Sequence, residues 1–67
     1  MADEKLTKAY ETVFDTQGNV RVCGRKACIT LIEECEKKDS YTYFGNKENG
    51  RMDIEAIKRF YEKEMSK

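Results

Sequence analysis

Cys23, Cys28 and Cys35 are the side chains in this sequence with the most chemistry to offer. Four residues separate the first pair and six the second, and the chain holds no histidine. A structural zinc ion takes four ligands, commonly from Cys-x-x-Cys pairs. That pairing is missing, so a fourth ligand would have to be a carboxylate or come from another subunit. If Arg25 to Lys38 is helical, Cys28 and Cys35 lie two turns apart on one face, about 10 Å along the axis. That separation suits neither a shared metal nor a disulfide. Small buried hydrophobes are therefore the expectation for these thiols, and no metal or other cofactor is expected. Cys23 is the best candidate for a reactive thiol. It stands next to Gly24 with Arg21, Arg25 and Lys26 close in sequence, and positive surroundings lower a thiol pKa.

The same three basic residues admit a second chemistry. Arg21, Arg25 and Lys26 cluster around a glycine where a helix is about to start. Free backbone N–H groups and cationic side chains together suit an anion. A single glycine is not a phosphate loop, however, and the spacing of a Walker motif is absent. A solvated positive patch is the plainer reading. Arg51, Lys58, Arg59 and Lys63 add basic character along the last helix, where Tyr41, Tyr43 and Phe44 could stack on bases. Glu55, Glu62 and Glu64 interleave with them, and the chain's 13 basic residues are balanced by 13 acidic ones. Nucleic-acid binding is thus the alternative expectation rather than the first.

Ser40-Tyr41-Thr42-Tyr43-Phe44 is rich in aromatic and β-branched residues, and alternation would place Tyr41 and Tyr43 on one face and Phe44 on the other. If Phe44 fills the core, period-2 geometry leaves the two tyrosines outside it. Exposed tyrosines beside a polar loop suit contact with another protein. Tyr41, Tyr43 and Arg51 are accordingly the expected partner-binding residues. The neighbouring segment from Asn46 to Glu55 is similar to a calcium-binding EF-hand loop at Gly50, Met52 and Asp53. Gly45 and Lys47 stand at the first two ligand positions and Ala56 where a bidentate glutamate belongs. An ordinary turn is read there, with no calcium.

Three amphipathic stretches must position these groups. Leu6, Ala9, Tyr10, Val13 and Phe14 share one face of a helix, as do Ile54, Ile57, Phe60, Tyr61 and Met65. Cys28, Ile29, Leu31, Ile32 and Cys35 give the middle one. The boundaries read as Asp3–Phe14, Arg25–Lys38 and Asp53 to about Met65, with Asp53 as N-cap and Met52 able to staple onto Ile57. Gly18-Asn19 and Asn49-Gly50 mark turns. Val20–Cys23 and Tyr41–Phe44 carry strand character and can pair as a ribbon only if a helix covers them. The fold class expected is mostly α: one small three-helix domain over residues 1–67, with that short two-stranded β ribbon as an addition. Its expected core is Leu6, Tyr10, Val13, Phe14, Cys28, Leu31, Ile32, Ile54, Ile57 and Tyr61.

A chain of 67 residues builds one core, and a core of that size supplies roughly 3–5 kcal/mol. It has little chain with which to wall a deep catalytic pocket. No apolar run reaches the length of a membrane span or a signal-peptide core. An odd cysteine count argues against a secreted disulfide scaffold, so a cytoplasmic location is expected. The function expected from these features is that of a non-enzymatic protein-binding module: a regulator, inhibitor or adaptor, with homodimerisation as another way to hide apolar surface. Nucleic-acid binding through Arg21, Arg25, Lys26 and the third helix is the alternative, and a metal or redox thiol site the second alternative.

Overall fold

The computed structural model describes residues 4–21 and 24–66. Three helices, α1 (Glu4–Val13), α2 (Arg25–Lys38) and α3 (Ile54–Met65), are accompanied by a two-stranded antiparallel ribbon of β1 (Gly45–Asn46) and β2 (Arg51–Met52) that packs chiefly on α2. The mostly α class with a short ribbon is as the sequence suggested. Asp3, Val22 and Cys23 lie outside the described residues.

Helix α1 packs chiefly on α2. Its Leu6, Ala9 and Val13 are buried, the i, i+3, i+7 set that faces one side. Phe14 follows, buried as well. The chain then reverses through residues 15–19. Gly18 takes φ +83, and the Asp15 carboxylate accepts from the N–H groups of Gln17 and Asn19, both at 2.9 Å. Phe14 and Val20 pair across this turn in an isolated bridge.

Helix α2 starts at Gly24, which offers no side-chain cap. It is the central element. Cys28, Leu31, Ile32 and Cys35 are all fully buried along it. Lys37 and Lys38 close its last turn, at the negative end of the dipole. Helix α3 starts on Asp53, whose side chain accepts from the Ala56 N–H at 3.2 Å. It buries Ile57 and Phe60. Phe44 enters the core from the loop before β1 and meets Phe60 edge-on, with centroids 5.1 Å apart.

The ribbon differs from the expected one in its residues. Gly45 pairs with Met52 and Asn46 with Arg51, whereas Val20 pairs with Phe14 and Tyr41–Phe44 forms no strand. The reason is the turn chemistry. Gly50 adopts φ +72, and the Asn46 and Asn49 side chains accept from the Glu48 and Arg51 N–H groups. The Asn49-Gly50 turn thereby folds its own flanks together and leaves Tyr41–Phe44 outside the ribbon, with only Phe44 of that segment entering the core. Gly45 is demanded at the base of this hairpin. Its φ is +142, and a Cβ there would fall 2.3 Å from the Arg51 carbonyl oxygen.

Three members of the expected core also differ. Ile54 is 43% exposed. It occupies the first position of α3, where the side chain points back off the helix end and beyond the core. Tyr10 and Tyr61 are half-buried. Their rings lie flat on each other, with centroids 3.7 Å apart, and Phe14 continues the stack beneath Tyr10 at 4.6 Å. Ala9, Cys35, Phe44 and Phe60 complete the buried set.

Candidate functional site

The chain from Asp39 to Phe44 is built to turn outward. Asp39 ends α2 and its carboxylate accepts from the Tyr41 N–H at 3.0 Å and the Thr42 hydroxyl at 2.6 Å. Those two bonds, the Thr42 one first, hold the Asp39 pKa below the usual carboxylate value. The turn leaves Tyr41 98% exposed and Tyr43 67% exposed, while Phe44 goes fully inside. Every other aromatic ring in the chain is buried or half-buried.

Tyr43 lies beside the ribbon and the start of α3. Together with Arg51, Met52 and Ile54 it lines a shallow, open depression of about 410 Å³, with Asp53 and Glu55 at its edge. The structure therefore brings Tyr43 and Arg51 together, while Tyr41 does not line this depression. Ile54 is the member that helical periodicity had assigned to the core. Its place at the N1 position next to Asp53 is the signal that could have found it. Among the described residues, neither Arg51 nor Glu55 is in an ion pair.

The three basic residues near Gly24 are not brought together as one patch. Arg21 donates to the Glu11 carbonyl at 3.2 Å, at the end of α1. Arg25 donates to the Glu48 carbonyl at the tip of the hairpin. Its stem lies under Gly50, where a Cβ would fall 2.9 Å from the Arg25 Cγ. Arg25 thus acts as a strut between α2 and the hairpin. Lys47 adds a second one, pairing with Glu36 at 2.9 Å. Lys26 faces the other way, over a shallow groove with Ala9, Thr12 and Thr30.

Cys28 and Cys35 are fully buried. Burial, reinforced by Glu34 and Glu36, pushes the Cys35 thiol up to about 12. A thiol in that state is neutral at any physiological pH and a poor nucleophile. Cys23 is outside the described residues. Among those described, no three His, Cys, Asp or Glu side chains converge as metal ligands. No helix among them is long and apolar enough to cross a membrane.

A second concavity, about 410 Å³, lies between the end of α2 and the outer side of α3. Its floor is Ala56 and Phe60 and its rim is Thr42. Lys38, Arg59 and Lys63 bring positive charge to it, and Asp39 and Glu64 negative charge. Arg59 and Lys63 are four residues apart on α3, so they share a helix face. The sequence places both along the last helix, whereas Lys38 arrives from another element and has no local signal linking it to them.

No protein-family model matches this chain, and neither a curated protein nor a solved structure matches it significantly.

Proposed function

We propose that this chain is a non-enzymatic protein-binding module that regulates, inhibits or links its partner through the exposed Tyr41 and the depression carrying Tyr43 and Arg51. The observation that supports this reading is the exposure of two tyrosines, 98% and 67%, in a chain that shelters every other ring. Exposed tyrosine carries a large apolar area whose hydration is unfavourable and which costs little side-chain entropy to immobilise on binding. The Asp39 turn holds Tyr41 in this position before any partner arrives, and such preorganisation lowers the cost of association. Ile54 and Met52 give the Tyr43 depression an apolar floor, and Arg51 gives it a charged edge. Buried reduced thiols agree with a cytoplasmic location. The nucleic-acid alternative has less support, because Arg21 and Arg25 spend their guanidinium groups on backbone carbonyls.

Capture of a partner from cell extract by the tagged chain, compared with Tyr41→Ala and Tyr43→Ala, tests the reading. The expected result is a captured protein whose affinity falls by more than about 1 kcal/mol in Tyr43→Ala, with far-ultraviolet circular dichroism unchanged. A partner bound equally well by both variants would remove this face from the function.

A further inference from the structure

We infer that the cleft between the end of α2 and α3 receives an acidic segment of the partner protein, a glutamate or aspartate carboxylate seating on Arg59 and Lys63. The inference rests on the protein-binding reading and supplies the chemistry of the partner.

Arg59 is the anchor. It is exposed, it lines the cleft, and among the described residues no acidic side chain pairs with it. A guanidinium so placed is a planar fork matched to a carboxylate, which it can hold by two parallel hydrogen bonds. Lys63 lies one turn further along the same face. It acts on Asp39 only as a more distant charge, which leaves its ammonium donors available to a ligand. Lys38 adds a third positive charge from the last turn of α2.

The two acidic residues at the cleft offset part of this charge but not all of it. Asp39 has both carboxylate oxygens turned onto the Tyr41 N–H and the Thr42 hydroxyl. With Glu64 counted as well, three positive charges face two negative ones, a net of one positive charge on a chain whose total is zero. The floor matters too. Ala56 and Phe60 are apolar, which suits the methylene stem of an acidic side chain rather than a bare ion. The rim connects the cleft to the proposed contact face, because Thr42 lines it and Tyr41 is its immediate neighbour. One extended acidic peptide can therefore lie against Tyr41 while placing a carboxylate in the cleft.

The probe is an end-blocked oligoglutamate peptide titrated into the isotope-labelled full chain at low salt, followed by amide and side-chain resonances. Inorganic phosphate, an oligolysine peptide and a single-stranded oligonucleotide serve as separate arms. Saturable shifts confined to Lys38, Thr42, Arg59 and Lys63 are expected with oligoglutamate and absent with oligolysine. Arg59→Glu should weaken that binding by about tenfold or more. Arg59→Gln should do so less, and Lys8→Glu, the same charge change on α1, should leave it nearly unchanged. Shifts spread over all basic residues, or equal losses in Lys8→Glu, would overturn the inference as general charge attraction. Phosphate binding as tightly as the peptide would overturn it in favour of a bare anion site. Stronger, Arg59-dependent binding of the oligonucleotide would overturn it in favour of nucleic acid. If the cleft ignores the peptide while Tyr43→Ala still loses a captured partner, the inference fails and the protein-binding reading stands.

Discussion

Cys35 and Asp39 are shifted in opposite directions, and each sets a testable expectation. Cys35 is held neutral by burial, with its pKa raised from 9.0 to about 12. The unfolded chain releases this proton from about pH 9 while the folded chain keeps it. The thiol's contribution to stability is therefore complete below pH 9 and lost as pH rises towards 12. Tyr10 is raised by burial, and by Glu62, and acts in the same direction. Thermal melting at pH 8 against pH 10.5 should show the decline, and Cys35→Ser should flatten it. Under native conditions Cys35 should also resist alkylation until denaturant is added. Asp39 has the opposite sign. Its lowered pKa means that the Tyr41 turn is held above the ordinary aspartate range and released as pH falls through the folded value. Thr42→Val removes the first cause of that shift, so the Asp39 carboxyl carbon should titrate at higher pH in that variant. An unchanged titration would mean that the hydroxyl does not hold the turn.

At the scale of elements, the helices were legible because their signals are local. The limits of α2 fall at the residues that periodicity gives, and Asp53 caps α3 as its residue type and position require. The ribbon was not legible in the same way. Strands of two residues are too short to show alternation, and what pairs them is the turn between, not their own propensity. Tyr41–Phe44 has the composition of a strand, yet the Asp39 bonds and the burial of Phe44 direct it elsewhere. The same tertiary demand explains the basic residues. Nothing local says that Arg25 will reach the Glu48 carbonyl, 23 residues away, or that Lys38 will share a cleft with Arg59. Two glycine substitutions separate local from tertiary causes. Gly24→Ser supplies the hydroxyl cap that α2 lacks, at a site with ordinary φ and no atom within 4 Å of the new Cβ. It should stabilise by about 0.5–1 kcal/mol through the cap and a stiffer unfolded chain. Gly45→Ala strains φ and drives Cβ into the Arg51 and Met52 backbone, so it should destabilise by more than about 1–3 kcal/mol. Urea midpoints measure both, and equal effects would mean that the hairpin base is not the constraint described.

For the molecule as a whole, the question is what keeps so small a core folded. Leu31 sits at the middle of α2, fully buried, in the cluster that also holds Leu6, Val13, Phe44 and Ile57. Truncating a leucine in such a place costs about 2–5 kcal/mol, the transfer term plus the cavity left behind. A core of this size supplies roughly 3–5 kcal/mol in all. The two figures overlap, so Leu31→Ala should be largely unfolded at room temperature, and Ile57→Ala close to it. Met65, 50% exposed at the end of α3, provides the contrast. Met65→Ala should move stability by no more than about 0.5 kcal/mol. Circular dichroism in a urea series decides the matter, and the protein concentration should be varied with it. If the fold stands on its own core, the midpoint of the unaltered chain will not depend on concentration. A Leu31→Ala chain that stays folded, with a midpoint rising as the protein is concentrated, would instead place the missing stability in association with a second copy. The exposed Tyr43 and Ile54 would then be the first residues to mutate, because covering them is the stabilisation that the single chain does not use.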